Sequence, residues 1–235
     1  MKRIVLFYQS YLKFFTSRGI TKKKANAFGA GVLLIVISVF FIYGHSNKAI
    51  EIASVDLKDG DIIFQNSQSK QSAAIERATN SPYSHVGIIY LKNGSYYVYE
   101  AIQPVQLTPF SEWIKRGEGG HYVVKRLKNY SKVFTTDIPM KMKNAAQKYN
   151  GKDYDSFFEW SDEKMYCSEL VWKVYRDATG IEIGELQQLR ELNLSDSLVQ
   201  ATVKERYGNK IPMNELVISP ASIFNSELLL TVVQN

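Results

Sequence analysis

The sequence has few of the residues that build disulfide bonds and metal centres. Its 235 residues include one cysteine, Cys167, and three histidines. A single cysteine can form no internal disulfide bond, which excludes a disulfide-stapled scaffold. The sequence also lacks the spacings Cys-x-x-Cys and His-Glu-x-x-His, and it has no glycine-rich phosphate loop. We therefore expect neither a metal nor an organic cofactor.

Acidic residues are absent before Glu51, whereas lysine and arginine are frequent there. This imbalance supplies much of the net charge of +6. No zinc-finger spacing, helix-turn-helix pattern or alternation of basic and aromatic residues accompanies it. The basic charge therefore indicates membrane topology, and we expect no nucleic-acid partner.

Charge is also missing from the apolar run at 27–43. A helix of that length spans roughly 25 Å, close to the hydrocarbon thickness of a bilayer, about 30 Å. The lysines at 22–24 precede the run and place its N-terminal side in the cytoplasm. The sequence thus predicts a basic cytoplasmic leader at 1–26, a transmembrane signal-anchor at 27–44, a linker at 45–55 and a globular domain at 56–235. The predicted location is a single-pass inner (cytoplasmic) membrane protein with its domain outside the cytoplasm, or alternatively a secreted protein after signal cleavage.

Cys167 opens an apolar stretch that predicts a helix ending near Gly180. At the first turn of a helix, the positive end of the dipole favours the thiolate. His85 and Glu100 are predicted on two strands joined by the hairpin signal Asn93-Gly94, so the strands should be neighbours. Cysteine, histidine and a carboxylate that orients the imidazole are the parts of a thiol acyl-transfer site.

Each of these residues also has a purely structural interpretation. Cys167 could be a buried inert thiol, His85 a partly buried histidine with satisfied hydrogen bonds, and Glu100 an exposed strand carboxylate. His121 is a rival for His85, and Glu169 is a second candidate carboxylate. Because Glu169 lies about 200° around the helix from the cysteine, it should point away from it.

The remaining pattern predicts an α+β domain with an antiparallel sheet. A turn followed by a strand is expected at 57–65, and strands are expected at 85–91, 96–101 and 122–127. Helices are expected at 69–79, 109–113, 139–149, 167–178 and 185–207, the last of these with a break near Asn193, and a last short helix opens at Ser219-Pro220.

Four motifs together resemble one known family. They are Gly-Asp-Ile-Ile-Phe-Gln at 60–65, Tyr-Ser-His-Val-Gly at 83–87, Glu-Ala at 100–101 and Tyr-Cys-Ser-Glu-Leu-Val-Trp at 166–172. In this order they resemble the YiiX-like group of bacterial permuted papain-fold amidases, relatives of the NlpC/P60 hydrolases. The resemblance implies a circularly permuted papain-like fold of NlpC/P60 type, in which the histidine strand precedes the cysteine helix.

The resemblance also implies roles for individual residues. Cys167 would be the nucleophile, His85 the base and Glu100 the residue that orients it, while the backbone N–H of Cys167 would donate to the oxyanion. Tyr166 and Tyr83 flank the reactive residues and would supply a further donor or a wall of the substrate site.

These expectations lead to one function and two alternatives. The function is a Cys-His-Glu thiol hydrolase that cleaves an amide of a cell-envelope peptide or of an acylated amino compound through a thioester. The alternatives are a lipid acyltransferase or esterase on the same fold, and a non-catalytic module that binds envelope peptides or amino acids.

Overall fold

A six-stranded antiparallel sheet lies at the centre of the protein, whose computed structural model describes residues 56–235. Within the described residues the strands are β1 (Ile62–Gln65), β2 (His85–Lys92), β3 (Ser95–Glu100), β4 (Gln106–Pro109), β5 (Val123–Leu127), β6 (Gln187–Gln188), β7 (Leu216–Val217) and β8 (Leu229–Gln234). Within the large sheet their order is β4-β3-β2-β1-β5-β8, and β6 pairs separately with β7. Every neighbouring pair is antiparallel, which confirms the expected type of sheet.

Helices surround this sheet. They are α1 (Lys70–Thr79), α2 (Phe110–Lys115), α3 (Tyr130–Val133), α4 (Ile138–Gln147), α5 (Cys167–Thr179), α6 (Ser197–Tyr207) and α7 (Pro220–Phe224). The cysteine helix α5 ends at Gly180, which adopts the left-handed conformation with φ 72°. This C-cap confirms the helix end predicted from the glycine.

Helix α5 packs its apolar side against the middle of the sheet. Ile62 and Phe64 of β1 share one buried cluster with Val86 of β2 and with Leu170 and Val174 of α5. Because side chains alternate along a strand, the residues between these positions point to the opposite face. Because α5 packs on the sheet and begins at Cys167, its packing also brings the cysteine close to the sheet.

The β2–β3 hairpin sets the register of the histidine strand. Asn93 and Gly94 both have positive φ, at 52° and 75°, as the predicted two-residue turn requires. Lys92 then pairs with Ser95, and this register carries Glu100 to the end of β3 beside the start of β2. The short turn thus makes neighbours of His85 and Glu100.

The expected helix at 185–207 is confirmed after its predicted break near Asn193, but the helix expected before the break is wrong. Gln187–Gln188 is a strand that pairs with Leu216–Val217, and a short 3-10 turn follows it. The helix begins only at Ser197, where the Asp196 carboxylate accepts hydrogen bonds from two backbone N–H groups. Pairing with a segment almost thirty residues further along the chain overrides the local preference for helix.

The predicted membrane location is not upheld. Among residues 56–235, no helix is long and apolar enough to cross a bilayer. The expected leader, signal-anchor and linker at 1–26, 27–44 and 45–55 lie outside the described residues. We therefore withdraw the single-pass location.

Candidate active site

His85 and Glu100 form a direct buried pair. The imidazole Nε2 of His85 lies 2.7 Å from Oε2 of Glu100, and Glu100 has no exposed surface. The carboxylate can only accept hydrogen bonds, so Nε2–H donates to it. This bond fixes the orientation of the ring and leaves Nδ1 for a second partner.

Cys167 is that second partner. The thiol is buried at the first position of α5 and interacts with the His85 side chain, both as a hydrogen-bond partner and electrostatically. The preceding residue, Tyr166, makes no side-chain cap at this helix end. The first backbone N–H groups of α5 are therefore not occupied by a capping side chain, and they add positive potential beside the sulfur.

The surroundings of His85 favour its protonated form. Burial by itself lowers the pKa of His85, but hydrogen bonds with Cys167 and Glu100 and the charges of these groups outweigh burial and raise it to about 9. The indole of Trp113 stacks on the imidazole, with ring centroids 5.9 Å apart and an interplanar angle of 24°. The geometry thus suits a thiolate–imidazolium pair.

Glu100 is itself held by two further side chains. Its Oε1 accepts a hydrogen bond from Thr108 Oγ1 at 2.5 Å and another from the guanidinium of Arg116. Burial raises the pKa of the Glu100 carboxyl, but the bonds and charges of His85, Thr108 and Arg116 prevail and lower it below its usual range. The carboxylate therefore stays charged next to the imidazole.

The two tyrosines that the sequence singled out occupy different surroundings. Tyr166 is buried, lines an apolar cavity beside Cys167, and accepts a hydrogen bond from Ile218 N–H at 3.1 Å. The ring of Tyr83 stacks on Phe224 with centroids 4.1 Å apart. Their proposed roles as donor or substrate wall stay predictions, and the cavity position of Tyr166 fits a wall.

Sequence reasoning missed a third tyrosine, Tyr154. It interacts electrostatically with Cys167, and its hydroxyl accepts a hydrogen bond from Gln71 Nε2 at 2.7 Å. Burial raises the pKa of this phenol far above its ordinary value, so it remains a proton donor. A backbone bridge between Tyr154 and Met165 holds the loop next to the start of α5. No local pattern marks this tyrosine, because its neighbours are contributed by distant parts of the chain.

Glu169 points away from the cysteine, as its helical position predicted. Its carboxylate lies 2.8 Å from the ammonium of Lys173, one turn further along α5, and both side chains are buried. Burial raises the pKa of Glu169 to about 7 against the opposing effect of Lys173. This pair supports the helix and takes no part in the His85 constellation.

Two cavities lie beside the reactive residues. The first, of about 80 Å³, is almost wholly apolar, and Cys167 is among the residues that line it. It lies between α1 and α6, and Ala74, Ile75, Leu192, Val199 and Val203 are among its walls. The second, of about 730 Å³, is an open groove that begins at His85 and is lined mainly by polar side chains. Its lining includes Gln65, Ser72, Ser84, Arg116 and Tyr154.

Comparison with known proteins identifies the family to which this chain is similar. Residues 56–233 match the family model described as permuted papain-like amidase enzyme, YaeF/YiiX, C92 family. A protein of Escherichia coli strain K12, described as uncharacterized protein YiiX, is 49% identical over 173 residues, which are 74% of this chain and 84% of that protein.

A solved structure agrees with this match. The crystal structure described as metalloprotein yiiX from Escherichia coli O157:H7 is 48% identical and superposes with a TM-score of 0.73, covering 76% of this chain and 97% of that one. The permuted papain-like fold is thereby shown, and at the level of the family so is a cysteine hydrolase of amidase type. The chain belongs to the permuted papain-like amidase family of YaeF and YiiX.

Proposed function

We propose that this protein is a cysteine amidase in which Cys167 is the nucleophile, His85 the acid and base, and Glu100 the residue that orients the imidazole. The observation that carries the proposal is the chain of contacts from the thiol through the imidazole to a buried, charged carboxylate. Such a chain activates a thiol and returns a proton to a leaving group.

The reaction proceeds in two steps. The Cys167 thiolate attacks the amide carbonyl, and the His85 imidazolium gives its proton to the departing nitrogen as the C–N bond breaks. A thioester remains on the sulfur. Water then loses a proton to the neutral His85 and attacks the thioester carbon, and cleavage of the C–S bond releases the acid and restores the thiolate.

Two donors are available for the oxyanion of each step. The backbone N–H of Cys167 stands at the uncapped start of α5. The Tyr154 phenol interacts with the same thiol, and among the described residues its hydroxyl proton has no acceptor. Donors that are already in place when negative charge develops are among the largest contributions to catalysis.

The apolar cavity beside Cys167 supports a substrate with an apolar acyl group. Its walls offer Ile75, Val199 and Val203 to the acyl chain but few polar partners. Of the two amide classes expected from the sequence, this favours an acylated amino compound over a polar peptide of the cell envelope. The same cavity also supports the second candidate, acyl transfer from a lipid ester, because the acyl group would occupy the same space.

The E. coli structure is described as a metalloprotein, but the side chains at this chain's site do not form a metal-binding group. Within residues 56–235, no group of three or more histidine, cysteine or acidic side chains is arranged to hold a metal ion. We therefore derive no step through a metal.

Alkylation of the thiol tests the proposal directly. The rate of reaction of the full chain with iodoacetamide is measured from pH 4 to pH 10 in wild type, His85→Ala and His121→Ala. A thiolate paired with an imidazolium reacts well below about pH 8.5, the midpoint of a free thiol, and this low-pH reaction disappears in His85→Ala. The exposed His121 is the matched control, and its replacement should change nothing.

Hydrolysis of fatty-acyl and peptidyl 4-nitroanilides, with Cys167→Ala as the blank, then gives the activity and the preferred acyl group. An alkylation midpoint near that of a free thiol in all three proteins, with no turnover, would refute the amidase. That result would favour the non-catalytic binding module.

A further inference from the structure

The polar groove that begins at His85 contains a buried side chain with unmet hydrogen bonds. Gln65 ends β1 and is 1% exposed, yet neither its amide oxygen nor its amide nitrogen has a hydrogen-bond partner among residues 56–235. A buried amide without partners is costly, and the great majority of such groups in proteins are paired. This carboxamide therefore calls for a partner from outside the chain.

The position of Gln65 relates that partner to the reaction. Gln65 and His85 are direct partners across the β1–β2 pair, so their side chains leave the sheet side by side on the same face. Both line the same groove, together with Tyr154. A molecule that satisfies the Gln65 amide would consequently lie next to the imidazole that protonates the leaving nitrogen.

The space around the carboxamide has been kept open by a glycine. A Cβ atom on Gly117 would lie 2.6 Å from Oε1 of Gln65, closer than real atoms approach. Gly117 has φ −73° and ψ 149°, which any residue can adopt, so the backbone does not require glycine there. The glycine is thus explained by the space that the Gln65 amide occupies, and not by the backbone conformation at residue 117.

The two cavities differ in the chemical character of the residues that line them. Apolar walls surround the nucleophile side, and polar groups surround the histidine side. Arg116 also lines this groove; its buried Nε lacks a partner among the described residues, and its guanidinium contacts Glu100. The histidine side therefore has two lining side chains, Gln65 and Arg116, with hydrogen-bonding atoms that lack a partner among the described residues.

We propose that the groove beginning at His85 binds the amine half of the substrate, and that Gln65 selects an amine that carries its own amide group, such as an amino-acid amide. A carboxamide both donates and accepts, and another amide is the group that complements both functions. A simple alkyl amine would leave Gln65 unpaired, and a site built for hydrogen bonds rejects a ligand that lacks them. This inference rests on the proposed amidase function.

Capture of the acyl-enzyme by added amines provides the test. The full chain is acylated with 4-nitrophenyl octanoate in a mixture of glycinamide and propylamine, which differ mainly in the amide group. The amine nitrogen attacks the thioester carbon, its proton passes to His85, and the C–S bond breaks as the new amide forms. Mass spectrometry measures the ratio of octanoyl-glycinamide to octanoyl-propylamide.

The comparison is between wild type and Gln65→Leu at the same pH, so the different basicities of the two amines cancel. We expect the ratio to fall about tenfold or more in Gln65→Leu, the loss expected for one or two hydrogen bonds. Gln147→Leu is the matched control, because Gln147 is exposed on helix α4 and does not line the groove, and its ratio should stay unchanged.

Stability separates a binding role from a structural one. Removing a buried, unpaired amide should raise the melting temperature of Gln65→Leu by a few °C. A lower melting temperature with an unchanged ratio would show that Gln65 only holds an internal water, and would overturn the inference. Gly117→Ala is the second variant, since its new Cβ displaces the amide and should lower the ratio even if Gln65→Leu does not fold.

The outcomes distinguish the two proposals. An acyl adduct on Cys167 with the same ratio in wild type and both variants overturns the groove assignment alone. A wild-type protein that forms no adduct on Cys167 overturns the amidase function and the groove assignment together.

Discussion

Glu100→Gln removes the negative charge that the structure places beside the His85 imidazole, while it keeps the size of the side chain. Glu100 is fully buried, and its Oε2 lies 2.7 Å from His85 Nε2. The glutamine carbonyl can still accept the hydrogen bond of Nε2–H, so the ring should keep its place. The change therefore isolates the electrostatic effect of the carboxylate on His85.

The structure sets the size of the effect. Raising the pKa of His85 from 6.5 to about 9 corresponds to roughly 3 kcal/mol in favour of the imidazolium, at about 1.4 kcal/mol per pH unit. Glu100 shares this effect with Cys167, and both act against burial. We expect the pKa of His85 to fall by at least about one pH unit in Glu100→Gln, which is ~1.4 kcal/mol.

Histidine NMR measures this directly. The chain has three histidines, so ¹³C-labelled histidine gives at most three ring Cε1–H signals, and the signal absent from His85→Ala belongs to His85. Its titration is followed from pH 5 to pH 10 in wild type and in Glu100→Gln. Glu112→Gln is the control, since Glu112 lies on the neighbouring helix α2 and pairs with the exposed Lys115.

The stability of the protein should follow the same titration. The pKa of His85 is higher in the folded state than in the unfolded chain, so the stabilisation is fully present below pH 6.5 and is lost as the pH rises to about 9. The free energy of unfolding of wild type should fall across this window, and less so in Glu100→Gln. An identical His85 titration in wild type and Glu100→Gln would refute the assignment of Glu100 as the orienting charge.

Three further predictions concern the oxyanion donor, a buried ion pair and the packing of the histidine strand. Tyr154→Phe should lower kcat for amide hydrolysis about 10²-fold with little change in KM, because only the transition state loses a donor, and steady-state kinetics measures this. Lys173→Ala should lower the free energy of unfolding in urea by about 1–3 kcal/mol, because it removes the cation beside the buried Glu169, whose carboxyl then takes up a proton. Gly87→Ala should destabilise the protein by about 1–3 kcal/mol in thermal unfolding, because the added Cβ would collide with the Val98 side chain on β3.

Each of these has a contrary outcome. An unchanged kcat in the Tyr154 variant would remove the phenol from the oxyanion site. A loss near zero for Lys173→Ala, equal to that of the exposed Lys141→Ala, would mean that water reaches Glu169. A Gly87→Ala protein as stable as wild type would show that β2 and β3 can separate without cost.

The sequence alone determined the parts whose signals are local. A single cysteine at the start of an apolar helix, and a histidine and a glutamate on strands joined by Asn93-Gly94, are enough to identify Cys167, His85 and Glu100 as candidates. A two-residue turn leaves little choice of register, so adjacency on the two strands followed from the chain itself. The glycine after α5 likewise predicted where that helix ends.

Only the tertiary structure supplied the groups that surround this pair. Tyr154 hydrogen bonds with Gln71, 83 residues earlier, and the two cavities arise where helices and strands distant in sequence come together. The sequence does not show that the amide of Gln65 is buried without hydrogen-bond partners, because a glutamine that ends a strand is ordinarily exposed or paired. Such features depend on which atoms fold next to one another over long separations, and a local pattern of residue types carries no information about those contacts.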